Sequence, residues 1–186
     1  MTGNLPAQFG MIVLVLLLPY GAPAKETEFA AKDGTRVVVL PVSKPSNHND
    51  SENKLEFYSP KNQMLCALDY SSKDGEHGFG VVKAAWTPDN KYFVFSLTSS
   101  GGHQPWHAPT LFYSIRDNSI DNVDNYADAA ISKADFTLKD SNTVLTEVWR
   151  GESVPIKFHL DSLTGGRRKP QHILHCVDGK TMKAEP

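Results

Sequence analysis

The chain has 186 residues and a formal net charge of −2. That near-neutral balance lacks the dense basic footprint of a nucleic-acid binder, and the short run Arg167-Arg168-Lys169 reads as a solvated turn. The length suits one domain with a real hydrophobic core, since domains of about 100–150 residues are the commonest.

The N-terminus predicts export. Met11 to Leu18 is an unbroken apolar run, Pro19 and Gly21 break it, and Ala22-Pro23-Ala24 has the small-x-small form that signal peptidase accepts. The run is far shorter than the ~20 residues a membrane span needs, and no cysteine follows it for lipid attachment. The segment before it carries no Lys or Arg, a departure from the usual pattern. We read residues 1–24 as a cleavable signal peptide. A periplasmic or secreted protein with no membrane span after cleavage then begins at Lys25.

Most of the remaining chain is predicted to be β. Arg36 to Val42 is valine-rich and interrupted only by Pro41. Residues 43–53 are polar and proline-containing, as in an exposed loop, and Asn49-Asp50-Ser51 fits a glycosylation acceptor. Lys91 to Phe95 is apolar at both parities, which predicts a central strand covered on both sides. Leu111 to Ile115 and Val144 to Trp149 are further strands. Ala127, Ala130, Ile131 and Ala134 recur at helical spacing, predicting one short helix or helical turn between Asp124 and Asp135. Ile156, Phe158 and Leu160 alternate with Lys157, His159 and Asp161, a half-buried strand with His159 on its wet side. The expected fold is therefore mainly β: an antiparallel meander or sandwich of roughly seven to nine strands with one short helix. It fills one domain over residues 25–170, followed by a C-terminal tail, 171–186, whose last ten or so residues look loose.

The chain carries an internal repeat. Ser59-Pro60-Lys61-Asn62 and Thr87-Pro88-Asp89-Asn90 each precede an apolar strand that ends in two serines, and equivalent positions stand 28 apart; Asp117-Asn118 lies a further 28 along. Two strands and two turns would fill that period.

Ala85-Trp86-Thr87-Pro88-Asp89-Asn90-Lys91-Tyr92-Phe93-Val94-Phe95-Ser96 resembles the repeat of TolB-type β-propellers, in which a Trp-Ser-Pro-Asp-Gly turn joins two strands of a blade. Pro88 presets the turn's φ, Asp89 and Asn90 suit its tight positions, and Trp86 can pack across the hairpin. Asn90 stands where that family has glycine. A blade of four strands takes roughly 40–45 residues, so the chain is too short for a full propeller, and the resemblance implies a blade-like unit within a meander. TolB-type proteins are periplasmic and bind other proteins, which is what the resemblance implies here. The whole chain also looks like a small exported bacterial protein.

Cys66 and Cys176 are the two cysteines. In an oxidising compartment an even pair favours a disulfide over two buried thiols. It would tie the C-terminal tail to an inner strand and contribute about 4–5 kcal/mol. His172-Ile173-Leu174-His175-Cys176 also holds metal-ligand residue types, with no second cysteine near.

The most unusual segment is Gly101-Gly102-His103-Gln104-Pro105-Trp106-His107. Pro105 excludes a regular helix, so these are loop residues, and Gly101, Gly102, His103, Trp106 and His107 are the candidate contacts for a ligand or partner. The loop one repeat earlier contains Glu76 and His77. If both loops hang from one end of a sheet, His77, His103, His107 and Glu76 could converge as zinc or copper ligands, while Trp106 could floor a pocket. Asp69, Asp74 and Glu76 could act as paired carboxylates for glycoside hydrolysis. No nucleophile elbow, metalloprotease helix, phosphate loop or dinucleotide fingerprint occurs. The sequence therefore predicts a non-catalytic exported binding protein for a protein or surface ligand. A small metal-binding protein is the alternative, and a hydrolase a weaker one.

Overall fold

Four hairpins with one turn chemistry build most of the chain. The structure, a computed structural model, describes residues 25–42, 52–101, 107–164 and 174–184. Strands β1 (Thr27–Ala30) and β2 (Arg36–Pro41) form the first hairpin, β3 (Asn53–Tyr58) and β4 (Met64–Asp69) the second. β5 (Phe79–Trp86) with β6 (Tyr92–Ser99), and β7 (Thr110–Ser114) with β8 (Ser119–Asn122), form the third and fourth. Each turn holds one left-handed residue: Gly34 (φ 91°), Asn62 (61°), Asn90 (58°) and Asn118 (45°). Glycine and asparagine are the residues that enter this region most readily. Their spacing is 28 residues throughout, so the sequence repeat is a hairpin unit, and it reaches one unit earlier than the sequence reading had it. In three turns the left-handed residue donates its N–H back three positions: Gly34 to Ala31, Asn62 to Ser59 and Asn90 to Thr87, at 3.1, 2.9 and 2.8 Å. That is a type I turn followed by a left-handed residue, a common hairpin connection.

The first two hairpins make one antiparallel meander and the last two make another. The third sheet is β9 (Thr137–Lys139), β10 (Thr143–Trp149) and β11 (Ser153–His159), in the order β11-β10-β9. Three layers result, with the β5–β8 sheet in the middle. On one face Phe93, Phe95, Leu97 and Tyr113 pack against Val37, Leu55, Phe57 and Leu68 of the first sheet. On the other, Tyr92, Val94 and Phe112 pack against Val144, Val148 and Phe158 of the third. β6 is thus covered on both faces, as its two-sided apolar sequence predicts. Trp86 sits opposite Phe93 in the hairpin register, with ring centroids 5.2 Å apart, and its indole N–H donates to the Phe29 carbonyl at 3.1 Å. The tryptophan therefore packs across its own hairpin and also ties the middle sheet to the first.

The C-terminal residues depart from expectation. Rather than lying loose, residues 174–184 supply β12 (Leu174–His175), antiparallel to β8, and β13 (Lys180–Lys183), parallel to β4. They close the same side of both meanders. Cys176, between the two strands, is disulfide-bonded to Cys66 of β4. Of the short helix or helical turn expected between Asp124 and Asp135, the structure has a helical turn at the start of that stretch and no α-helix. Only Val123–Tyr126 turns, as a 3-10 segment capped by the Asn122 side chain, which accepts the Asp124 N–H. Ile131 instead bridges Val148 of β10 and is fully buried. The helical spacing of the alanines reflected one-sided burial without helix. The α-helix is α1 (Leu160–Thr164), directly after β11, and Leu160 is its buried first residue. Thirteen strands among the described residues exceed the expected seven to nine, because β1, β8, β9, β12 and β13 span only two to four residues, too few to show a period. No helix among them is long and apolar enough to cross a membrane.

The middle sheet's outer edge is β5, where a bulge between Val81 and Lys83 breaks the pairing register. β11, an edge of the third sheet, contains Pro155. Bulges and prolines at edges hinder pairing with other chains.

The disulfide closes a separation of 110 residues. The double variant Cys66→Ser/Cys176→Ser is expected to lose about 4 kcal/mol of unfolding free energy, read from the denaturant midpoint. A loss below about 1 kcal/mol would mean that strand pairing alone holds residues 174–184.

Candidate functional site

The strand order places the predicted loops together at one end of the middle sheet. Phe79 at the start of β5 pairs with Ser99 at the end of β6, and Ser96 of β6 pairs with Thr110 at the start of β7. Residues 70–78, 100–101, 107–109 and 123–131 therefore lie at the same end, opposite the four repeated turns.

Two carboxylates organise this end. Glu52 is only 3% exposed. Its oxygens accept the Ser72 N–H (2.7 Å) and hydroxyl (2.6 Å), the Gly78 N–H (2.8 Å) and the Ser100 hydroxyl (2.9 Å). Burial raises its pKa, but the hydrogen bonds from Ser72, Ser100 and Gly78 outweigh that and hold it below the usual carboxylate value. One ionised group thus binds the first sheet to two loops of the second. Gly78 makes this approach possible: a Cβ there would lie 2.4 Å from both the Glu52 Cδ and the Tyr70 carbonyl. The second carboxylate is Asp124. It accepts the Ile131 N–H at 3.1 Å and the Thr110 N–H at 3.3 Å, and pairs with His107 Nε2 at 2.9 Å. That hydrogen bond raises the His107 pKa above its ordinary 6.5, against the opposing effect of burial.

Of the predicted site residues, Glu76 and His77 are exposed in the 70–78 loop, Gly101 is exposed at its own loop's start, and His107 is half-buried. His77 Nδ1 lies 2.6 Å from Asp74. Asp74 is held well below the carboxylate range by the Glu76 N–H, then by Ser72 and His77. His77 and His107 are thus each engaged by a different aspartate of their own end. No group of three His, Cys, Asp or Glu side chains among the described residues could hold a metal ion. Gly102, His103 and Trp106 lie outside the described residues, as do residues 1–24, Asn49, Arg167-Arg168-Lys169 and His172. Asp69, weighed above for hydrolysis, accepts the Ser71 N–H at 2.9 Å and faces the Lys183 ammonium at 3.4 Å.

Sequence reasoning missed Glu52 and Asp124. Glu52 ends a polar loop and reads as exposed, and Asp124 lies in the acidic run Asp121 to Asp128, which reads as a capped helix start or an attraction for a cation. A legible signal was Gly78, a glycine at a strand entrance where no turn needs one. Sequence reasoning also missed a cleft at the opposite, turn-bearing end, between the turns at 31–35, 87–91 and 115–118 and the start of α1.

No protein-family model, curated protein or solved structure matches this chain.

Glu52 accepts from four donors, and a carboxamide there keeps one acceptor oxygen while setting an NH2 group against the donors of the other. Glu52→Gln is expected to cost about 1–3 kcal/mol, and Gly78→Ala at least as much because it displaces the same carboxylate. Chemical denaturation measures both, and an unchanged midpoint in either variant would contradict the assigned role. For His107 the sign is set by a raised folded pKa. The Asp124 pairing stabilises fully below about pH 6.5 and is lost as pH rises through the folded value. An NMR titration should place the His107 midpoint above 6.5, and Asp124→Asn should return it there; a wild-type midpoint at or below 6.5 would refute the pairing.

Proposed function

We propose that this chain is an exported, non-catalytic binding protein, and that the loop end of the middle sheet is its contact surface for a protein or surface ligand. The observation that carries this reading is the use made of Glu52 and Asp124. Both spend their oxygens on loop N–H and hydroxyl groups, so loops without regular structure are held in place while Glu76, His77 and Gly101 stay exposed. Preorganised loops on a rigid sheet lower the ordering cost of binding. Glu52, held ionised, has the acidity of a structural acceptor and not of a group that exchanges protons near neutral pH. The disulfide suits an oxidising compartment, in keeping with the predicted signal peptide and with the periplasmic setting that the TolB-type resemblance implies.

The test is site-specific photo-crosslinking in a bacterial host that exports the chain. A crosslinking residue at Glu76 is expected to give discrete adducts in the periplasmic fraction, with the adducted chain beginning at Lys25 by mass spectrometry. The same residue at Lys61, exposed in a turn at the far end, should give none. Equal adducts at both positions would reject the loop end as the contact surface, and retention of residues 1–24 in the cytoplasm would reject export.

A further inference from the structure

The cleft at the turn-bearing end has a volume of about 420 Å³, within the range of small-molecule sites, about 300–1,000 Å³. Three cations and three carboxylates line it: Lys32, Lys91 and Arg116 with Asp33, Asp89 and Asp161. Their formal charges cancel, yet their hydrogen-bonding capacities do not.

The carboxylates are occupied by the protein itself. Asp33 accepts the Thr35 N–H at 2.8 Å and the Thr35 hydroxyl at 3.0 Å. Asp89 Oδ1 accepts the Thr87 hydroxyl at 2.8 Å and the Lys91 N–H at 3.2 Å, while the buried Oδ2 accepts no hydrogen bond and faces the Lys91 ammonium as an ion pair at 3.2 Å. Asp161 accepts the Tyr92 hydroxyl at 2.8 Å with one oxygen and the Asn142 amide with the other.

The cations keep donors to spare. Among the described residues the Lys32 ammonium has no hydrogen-bond or ion-pair partner; only its backbone N–H is engaged, by Asn90. Lys91 has three ammonium protons, against one carboxylate oxygen at 3.2 Å and another at 4.0 Å. Arg116 gives Nε and Nη2 to Asp117, and Nη2 also to Thr164, which leaves Nη1 uncommitted. A ligand entering the cleft therefore meets N–H donors first. Half-buried Ile115 adds apolar surface for a carbon skeleton.

The geometry points to a binding site for a small monocarboxylate that also bears hydroxyl groups, of the sugar-acid class. Its carboxylate takes the Lys32, Lys91 and Arg116 donors. Its hydroxyls donate to the remaining lone pairs of the aspartates, each carboxylate having about four acceptor sites. Balanced formal charge opposes a polyanion, because each extra negative charge would face an aspartate without a new cation to meet it.

The test is NMR titration of the isotope-labelled protein beginning at Lys25. D-glucuronate and D-galacturonate are the probes, with D-glucose as the neutral counterpart and inorganic pyrophosphate as the polyanion. At least one sugar acid is expected to shift the amides around residues 32, 91 and 116 saturably at millimolar concentration, with glucose about tenfold weaker or more. Lys32→Ala and Arg116→Ala should each weaken binding about tenfold, the loss of one charge-assisted hydrogen bond, with the rest of the spectrum retained. Lys61→Ala, in the neighbouring turn, should leave it unchanged. Three results overturn the assignment: no saturable shift with either sugar acid, glucose binding as tightly as the acids, or pyrophosphate binding more tightly than both.

Discussion

Strand β6 has no solvent-facing side: Tyr92 through Leu97 are all buried, with alternate residues entering two different cores. An antiparallel sheet ordinarily keeps one face wet, so a strand of this kind commits the chain to three layers. Phe93 shows how closely the commitment is met. Its ring contacts Phe29, Phe57, Trp86 and Phe95, with centroids 5.2–6.5 Å away. On the opposite face the polar pair Ser96 and Thr110 is buried but mutually bonded at 2.8 Å, so the second core leaves neither hydroxyl orphaned. In the first core the Tyr70 hydroxyl is buried without a hydrogen-bond partner, and burial pushes its pKa well above the ordinary tyrosine value.

The two ends of the sandwich are built by different means. One end is local chemistry: four turns, each with a left-handed Gly or Asn, recur at a fixed spacing and need little from the rest of the fold. The other end is tertiary. Its loops have no repeated sequence, and two carboxylates hold them, the buried Glu52 from the entrance of β3 and the half-buried Asp124 from within the 123–131 segment. The proposed contact surface and the proposed small-molecule cleft therefore rest on separate supports, and a change in one end leaves the other's geometry in place.

This contrast also explains what the sequence disclosed. The repeat, the covered central strand and the packing role of Trp86 were legible because each depends on neighbours in sequence. Pro88 and Asn90 specify a turn without help, and a run such as Tyr92-Phe93-Val94-Phe95 can only be buried on both sides. The Cys66–Cys176 bond was legible from residue count. Ile131 was misread because its spacing from Ala127, Ala130 and Ala134 happens to match a helical period, while its actual partner, Val148, lies in a distant strand. β12 and β13 were missed because they span two and four residues, too few for alternation to appear. Glu52 was invisible for a different reason: its partners lie 20, 26 and 48 positions away, and nothing local marks a carboxylate as buried.

The closure by residues 174–184 gives the molecule a direction in time. Both meanders have an open side at β4 and β8 until that last segment arrives, and the parallel pairing of β13 with β4 joins residues more than a hundred positions apart. Contacts of such separation form late. Synthesis delivers residues 174–184 after both meanders, so each meander can form as the chain appears while the sandwich stays unsealed. Completion of this fold is thereby coupled to delivery of residues 174–184, and a product that stops before them is left with two open strand edges.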